Sequence, residues 1–340
     1  MKKFILSESG EFRKINLHCH SKDCSDGRLT LAELKEFYKS HGYAAVAFTD
    51  HNVLIDHSDM SDDEFIALTG TEINFDCPTD PKDAQRCYHI NLIAKKSDNT
   101  ALVCYNPKYA FMASNKPYLA TQKYVGEPDF EREYTFECVN KFIKEANNHG
   151  FLTTYNHPRW WLQPWEDYHG LEGLWGFEIN NGDCYRYCGR QDVNEDIYDW
   201  FLRHGKRICP IAADDNHDIR PMGHPKFDSG LSWVMAKTEK LDYASIIDAL
   251  ETRNFYSSNG PEIYECYVED GYIHVKTSPC EFIRINTQAR AVKSECGEKR
   301  GEAVTECHFE IPEGAKYVRV TVTDFGGSSA WTNAFYDLKD

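Results

Sequence analysis

The sequence predicts an α/β fold in which seven strands form a closed or nearly closed barrel, followed by a small all-β domain. Apolar strand-like segments alternate with helical patterns up to about residue 260, and short strands of two-residue periodicity follow Pro261. This alternation implies a largely parallel sheet. The seven predicted strands span residues 15–20, 44–51, 65–72, 88–94, 151–158, 174–180 and 207–217.

The first strand, helix and strand illustrate the pattern. Residues 15–20 (INLHCH) are a short apolar strand that ends in histidines. A helix follows, with Thr30 as N-cap, Glu33 closing a capping box and Gly42 as its C-terminal stop. Residues 44–51 (AAVAFTDH) then form the continuous apolar run typical of a strand buried on both faces. Later strands are separated by helical patterns at 136–149 and 191–204.

Two segments do not fit this repeat. Residues 95–135 are long, rich in aromatic residues and without clear periodicity, which favours a lid over the site. After Pro261, an Asp270-Gly271 hairpin signal lies between alternating strands. We therefore expect a barrel domain over 1–260, with an insertion at 95–135, and a β-sandwich-like domain over 261–340.

Composition restricts the possible functions. The chain has no run of eighteen apolar residues and no signal-peptide core, so we expect a cytoplasmic protein that does not bind membranes. Its thirteen cysteines are then expected to be reduced thiols. The net charge of −16 argues against a nucleic-acid polymer as partner. A small anionic substrate would have to be attracted locally, by metal ions; the oligomeric state stays open.

Histidines and carboxylates concentrate where the predicted strands end. His18 and His20 alternate along a strand, so their imidazoles share one face. Each motif alone is weak, but together they indicate a site of nitrogen and oxygen donors, which favours Mn²⁺, Fe²⁺ or Zn²⁺. The residues at or just past predicted strand ends are His18, His20, His51, Glu72, His157, Asp215 and His217.

The ordered set of motifs resembles the PHP (polymerase and histidinol phosphatase) superfamily over residues 14–260. The set comprises H-x-H at 18–20, S-D-G at 25–27, T-D-H at 49–51, G-x-E at 70–72, His89, H-P at 157–158 and D-x-H at 215–217. The resemblance implies a distorted seven-stranded β/α barrel and metal-dependent phosphoesterase activity. The segment 232–261 and the ending GGSSAWTNAFY look most like the carbaryl hydrolase-like branch.

The same resemblance implies a cluster of two or three divalent ions. Glu72 would bridge two of them. Asp23 could compete with Asp26, and Asp214 with Asp215, although the motif spacings favour Asp26 and Asp215. The implied ligand sets are His18, His20, Glu72 and Asp215 for the first ion, Glu72, His89 and His157 for the second, and Asp26, His51 and His217 for the third.

We accordingly expect hydrolysis of a small phosphate ester, either a phosphomonoester or a nucleotide, with a metal-bridging hydroxide as nucleophile. The expected catalytic residues are Glu72, Asp215 and His217, and the expected substrate-binding residues are Arg159 and Trp160. Two alternatives stay open: a metal-dependent carboxyl or carbamate ester hydrolase, and a catalytically silent metal-binding scaffold.

Overall fold

The computed structural model describes residues 2–81, 85–188, 193–289 and 293–338. Its helices are α1 (Leu31–Ser40), α2 (Lys116–Leu119), α3 (Phe136–Asn148), α4 (Trp165–Tyr168), α5 (Gly182–Cys188), α6 (Glu195–Arg203) and α7 (Tyr243–Glu251). None of the helices in these ranges is long and apolar enough to cross a membrane.

Strands make up most of the remaining regular structure. The first ten are β1 (Lys3–Phe4), β2 (Glu11–Asn16), β3 (Tyr43–Phe48), β4 (Ile66–Asp76), β5 (Cys87–Ala94), β6 (Ala101–Val103), β7 (Lys123–Val125), β8 (Phe151–Tyr155), β9 (Gly176–Asn181) and β10 (Cys209–Ala213). The others are β11 (Trp233–Thr238), β12 (Phe255–Ser258), β13 (Ile263–Glu269), β14 (Tyr272–Cys280), β15 (Phe282–Asn286), β16 (Lys293–Glu295), β17 (Val304–Glu310), β18 (Arg319–Thr323) and β19 (Ser329–Thr332).

All seven predicted barrel strands occur, and they lie in one large sheet of order β10-β9-β8-β5-β4-β3-β2-β11-β12-β19-β18-β15-β16. The sheet is mixed rather than largely parallel, because β5 runs antiparallel to both β4 and β8. The reason is chain length: residues 77–86 are too few for the crossover of a dozen or more residues that a parallel pair needs.

A closed barrel is not confirmed. Among the described residues β10 forms a ladder with β9 alone, so β10 and β16 are the edges of an open sheet. The chain segments just past β2 and β10 nevertheless meet: the Asp215 amide donates to the His18 carbonyl at 2.9 Å, and Cys19 forms an isolated bridge with Asn216. The sheet therefore curls far enough to bring its first and last α/β strands together at one end.

Apolar residues fill the concave side of this curled sheet. Ile15, Ala47, Leu68 and Ile211 come from four different strands and belong to one buried cluster, together with side chains of α7. Helix α1 covers the outer face, where Leu34, Phe37 and Tyr38 pack against β3 and its neighbours. Burial on both faces explains the continuous apolar runs of the sequence.

The C-terminal region is built from two sheets. Strands β1, β13, β14 and β17 form a separate four-stranded sheet, while β15, β16, β18 and β19 extend the large sheet through β12. Ile273, Ile283 and Val320 belong to the apolar core between the two. An all-β C-terminal region is thus present, but hydrogen bonding is continuous across the expected boundary at 260/261, which stays a prediction.

The insertion at 95–135 packs against the loops that follow β2 and β3. The Asn115 side chain donates to the carbonyls of Cys24 at 2.7 Å and His51 at 3.2 Å, and the Ser114 hydroxyl donates to the Ser25 carbonyl at 2.6 Å. The insertion is therefore held at the end of the sheet where the predicted site residues lie.

Candidate metal centre

Most of the predicted ligands lie just past strand ends, as the sequence indicates. His18 and His20 follow β2, His51 follows β3, and His157 follows β8. Glu72 differs, because β4 continues to Asp76 and so holds this residue within the strand. Asp215 and His217 follow β10. Since parallel strands end at the same edge of a sheet, these side chains converge.

His89 reaches the same edge for the opposite reason. It lies near the start of β5, directly opposite Asn74 of β4. Because β5 is antiparallel to its neighbours, its beginning lies where their ends lie. The short link between β4 and β5 thus places this ligand, and a fully parallel sheet would have put it far from the others.

Glu72 is at the centre of the site and is 1% exposed. Its Oε1 atom lies 2.9 Å from His89 Nδ1, 3.2 Å from His18 Nε2 and 3.4 Å from His157 Nε2. Its Oε2 atom lies 3.3 Å from His51 Nδ1 and 3.4 Å from His20 Nε2. One carboxylate therefore faces five imidazoles, as a bridging ligand would.

Asp215 is a second shared carboxylate beside Glu72. Its Oδ1 atom is 3.0 Å from both His18 Nε2 and His20 Nε2, and its Oδ2 atom is 3.5 Å from His157 Nε2. The Asn181 amide donates to Oδ2 at 3.0 Å and fixes the carboxylate orientation. Its neighbour Asp214 is turned away and accepts bonds from the Tyr38 hydroxyl and from three backbone amides at 230–232.

Asp26 lies on the outer side of the cluster. Its Oδ1 atom is 3.6 Å from His217 Nε2 and 3.8 Å from His51 Nε2. Asp23 instead accepts a bond from the Leu31 amide at the start of α1. The ligand-type atoms form two compact groups, each within 4.8 Å: His20, Asp26, His51 and His217, and His18, Glu72, His157 and Asp215.

Two further carboxylates support this set. Glu178, which the sequence analysis missed, lies in β9 and contacts His18 Nδ1 through Oε1 at 2.6 Å, while its Oε2 accepts from the His157 amide. Its sequence signal is the G-x-E pattern at 176–178, near the end of a predicted strand, but the flanking apolar run 174–180 also fits an ordinary buried strand. Asp50 accepts two bonds from Ser21 and so orients the loop after His20.

Local backbone geometry also aims the ligands inward. His157 and Asp215 have φ angles of 27° and 52°, in the sparsely populated left-handed region that costs free energy in most non-glycine residues. Gly27 is required for a different reason, since a Cβ atom there would lie 2.4 Å from the His20 carbonyl oxygen. The loop that carries Asp26 can therefore pack closely against the H-x-H segment.

The electrostatics of the site favour added positive charge. Burial alone would lower the pKa of His18, but the carboxylates of Asp215, Glu72 and Glu178 outweigh it and hold that pKa well above its ordinary value. By contrast, burial and the neighbouring His20 lower the pKa of His51 to about 3. Protons can therefore neutralise only part of the carboxylate charge in a crowded set of imidazoles.

The donors present fit divalent metal ions. Ligand atoms bound to one ion at about 2.0–2.2 Å lie roughly 3.0–3.5 Å apart. The contacts around Glu72 and Asp215 run from 2.9 to 3.5 Å. Glu72 Oε2 and His89 Nδ1 are buried yet have no hydrogen-bond partner among the described residues. Lone pairs that face one another without bonding are the arrangement that a shared cation would satisfy.

A cavity of about 400 Å³ opens onto this cluster. Trp160 and Trp161 line it, whereas Trp165 packs against Trp200. Arg159 is not among the lining residues; its guanidinium is half exposed and donates to Asp196 at 2.6 Å. The structure therefore places Trp160 at the cavity and leaves the substrate-binding role of Arg159 as a prediction.

Three solved structures align with the chain at low identity. A two-domain protein from Bacteroides vulgatus, described as containing a predicted PHP-like metal-dependent phosphoesterase, is 16% identical, with 98% of both chains covered and a TM-score of 0.47. A candidate metal-dependent phosphoesterase from Bifidobacterium adolescentis is also 16% identical, covering 65% of this chain and 93% of that one at a TM-score of 0.40. An amidohydrolase from Chromobacterium violaceum is 17% identical, with 60% and 87% covered and a TM-score of 0.36.

Sequence comparison gives a separate result. No curated protein matches the chain. Residues 16–179 match the family model of the PHP domain; this range contains seven of the nine predicted ligands, and Asp215 and His217 lie beyond it.

Proposed function

We propose that this protein is a metal-dependent phosphoesterase that hydrolyses a small phosphate monoester. The observation that carries the proposal is the position of Glu72, whose two buried oxygens face five histidines at 2.9–3.4 Å beside an open cavity. The PHP domain match over residues 16–179 supports metal-dependent hydrolysis.

Nine residues form the proposed metal-binding set. Divalent ions of Mn, Fe or Zn held there would supply Lewis-acid charge to a phosphoryl oxygen and lower the pKa of water towards neutrality. We propose Glu72, Asp215 and His217 as the catalytic residues within this set, because they face the cavity. The proposed ligands of two or three ions are His18, His20, Asp26, His51, Glu72, His89, His157, Asp215 and His217.

The second layer of side chains fixes which imidazole nitrogen is available as a ligand. The contact of His18 Nδ1 with Glu178 assigns the proton to Nδ1, which leaves the Nε2 lone pair facing Glu72 and Asp215. His217 Nδ1 lies 3.0 Å from the backbone carbonyl of Asp215, so its Nε2 lone pair likewise faces Asp26. These contacts leave the Nε2 lone pairs of both imidazoles available to bind cations.

Amide side chains orient the carboxylates in the same way. Asn156 Nδ2 donates to Glu72 Oε1 at 2.8 Å, and Asn181 Nδ2 donates to both Asp215 and Glu178 at 3.0 Å. Such hydrogen bonds hold the donor atoms in place before substrate binds, which reduces the reorganisation needed during reaction.

The test is a Glu72→Gln variant, which keeps the shape of the side chain but removes the shared negative charge. We expect loss of phosphate monoester hydrolysis by roughly 10³-fold or more, as the loss of several kcal/mol of charge stabilisation implies. Activity is measured after Mn²⁺, Fe²⁺ or Zn²⁺ loading, with circular dichroism as the check on folding. Wild-type-like hydrolysis by a folded, metal-loaded variant would refute the proposal.

A substrate panel separates the alternatives. Metal-loaded wild-type protein is assayed against alkyl and benzyl phosphates and, in parallel, against aryl carboxyl esters and carbamates. Hydrolysis of the esters or carbamates without the phosphates would identify the other hydrolase class, that of the carbaryl hydrolase-like branch. Bound metal without turnover of any compound would indicate the silent scaffold.

A further inference from the structure

We infer that the cavity selects phosphate monoesters whose alcohol is apolar and flat, such as a benzyl group, and discriminates against esters that carry a second anionic group. This inference rests on the proposed function and narrows its substrate class, which otherwise includes nucleotides. It follows from the shape, the apolar walls and the charge of the cavity.

Three separate chain segments supply the apolar walls. Phe111 and Met112 come from the 95–135 insertion, Trp160 and Trp161 come from the loop after β8, and Ile219 comes from the loop after β10. These segments are far apart in the sequence, so the apolar character of one does not explain that of the others. Their convergence on the cavity that holds the cluster therefore points to an apolar ligand group.

The solvent exposure of these walls supports the same reading. Phe111 is 68% exposed and Ile219 is 50% exposed. Leaving large apolar side chains in water at the mouth of a cavity forgoes the free energy of burying them, and a bound apolar group would recover it. Exposed apolar residues that surround a polar centre are a common feature of ligand-binding sites.

One aromatic wall lies next to the reacting centre. The rings of Trp161 and His89 are 5.2 Å apart between centroids, and His89 Nδ1 is 2.9 Å from Glu72. An alcohol group attached to a phosphoryl group at the cluster would thus lie beside the indole. A flat ring fits such a position better than a branched polyol, because aromatic faces pack closely.

The charge of the residues that line the cavity disfavours a substrate with a second anionic group. None of the described lining residues is lysine or arginine, while Asp26, Glu72 and Asp215 contribute carboxylates. The nearby Arg132 donates to Asn52 and Asn74 behind the wall. The proposed ions would compensate one phosphoryl group, but a second phosphate or a carboxylate would meet no cation among these residues.

The experiment compares three phosphates with the metal-loaded full chain: ethyl phosphate, benzyl phosphate and 4-carboxybenzyl phosphate. Ethyl and benzyl phosphate differ mainly in apolar area, and the two benzyl compounds differ by one negative charge. We expect kcat/KM for benzyl phosphate to exceed that for ethyl phosphate by roughly 10- to 100-fold. We expect it to exceed that for 4-carboxybenzyl phosphate by about 10-fold.

Variants then assign the selectivity to the walls. In a Phe111→Ala/Ile219→Ala protein the preference for benzyl over ethyl phosphate should fall by about 10-fold. Ile219→Lys should reduce the ratio of kcat/KM for benzyl phosphate to that for 4-carboxybenzyl phosphate by about fivefold. Leu162→Ala is the matched control, because Leu162 is 72% exposed but does not line the cavity, and it should leave the preference unchanged.

The outcomes distinguish the two proposals. If metal-loaded wild-type protein hydrolyses ethyl and 4-carboxybenzyl phosphate as well as benzyl phosphate, the phosphoesterase proposal stands and the substrate inference is overturned. If it hydrolyses none of the three, the proposed function fails and the inference fails with it. A benzyl preference that the double variant retains would overturn the assignment to Phe111 and Ile219.

Discussion

Two clusters of charged residues in the described part of the chain, each with a buried centre, are balanced in different ways. In the candidate metal centre, Glu72 and Asp215 are surrounded by histidines, and the described structure pairs neither of them with lysine or arginine. In the second, which we term the arginine cluster, Glu195 and Asp199 of α6 pair with Arg284 of β15 and Arg319 of β18.

The arginine cluster is complete in itself. The Arg319 side chain is fully buried and donates through Nε to Asp199 at 2.7 Å, through one terminal nitrogen to Glu195 at 2.9 Å and through the other to Thr321 at 2.8 Å. The Thr321 hydroxyl also donates to Glu195 at 2.6 Å. These bonds join α6 to the C-terminal strands β15 and β18.

A charge cluster that supports the fold differs from one that binds a ligand in what balances its carboxylates. A buried carboxylate that serves the fold is paired with a permanent cation and hydrogen bonded. The carboxylates of the candidate metal centre face imidazoles, which can be neutral, and Glu72 Oε2 is buried without a hydrogen-bond partner among the described residues. The missing positive charge is what we assign to metal ions.

The largest effect is expected when a substitution breaks the arginine cluster. Arg319→Met leaves Glu195 and Asp199 without their buried partner, so the free energy of unfolding should fall by about 3–5 kcal/mol. Chemical denaturation measures this. Arg284→Met is the matched control: Arg284 pairs with the same Glu195 but is 38% exposed, so its loss should cost about 1 kcal/mol or less. Equal costs for the two variants would contradict the account.

A smaller effect is expected when the support of the metal centre is weakened. Glu178→Gln removes the carboxylate that holds the His18 proton on Nδ1, so metal affinity should fall by about 10- to 100-fold. The measurement is competition for Mn²⁺ or Zn²⁺ with a chromophoric chelator. Unchanged affinity in a folded variant would mean that Glu178 does not position the ligand.

The arginine cluster should also make stability depend on acid pH. Burial would raise the pKa of Glu195, but Arg319 and Arg284 outweigh it and lower that pKa to about 2 from an ordinary value of 4.5. Because the folded-state pKa is lowered, the contribution is complete above pH 4.5 and is lost as the pH falls towards 2. Unfolding free energies of wild type and Glu195→Gln should therefore converge over this range; a constant difference would contradict the assignment.

The smallest effect is expected at Arg159. Its ion pair with Asp196 is solvent exposed on both sides, so Arg159→Ala should change the free energy of unfolding by about 1 kcal/mol or less. If the ion pair is its whole role, kcat/KM for a phosphate monoester also stays within about twofold of wild type. A large rise in KM would instead support the substrate-binding role predicted from the sequence.

The sequence alone was sufficient for much of the fold and most of the proposed ligand set. Apolar runs located the seven strands, and polar residues directly after them supplied most of the proposed ligands. The position of His89 depended on strand direction, which a short link rather than a residue pattern decides. Glu178 escaped notice because an inward-facing glutamate in an apolar strand resembles its neighbours until tertiary contacts are known.

The arginine cluster was beyond sequence reasoning for a related reason. Arg319 begins the alternating segment RVTVT, where an arginine at a strand end is typical of an exposed edge. Its acceptors lie 120 and 124 positions earlier in the chain. Only the packing of α6 against β18 makes this side chain a buried one, and no local pattern encodes that contact.

The most direct test of the central claim is anomalous diffraction from crystals equilibrated with Mn²⁺. We expect two or three anomalous peaks at the cluster, at least one of them within about 2.0–2.4 Å of a Glu72 oxygen, as for other oxygen ligands of such ions. The arginine cluster should show no anomalous peak. Absence of peaks near Glu72, or peaks only at other carboxylates, would contradict the account.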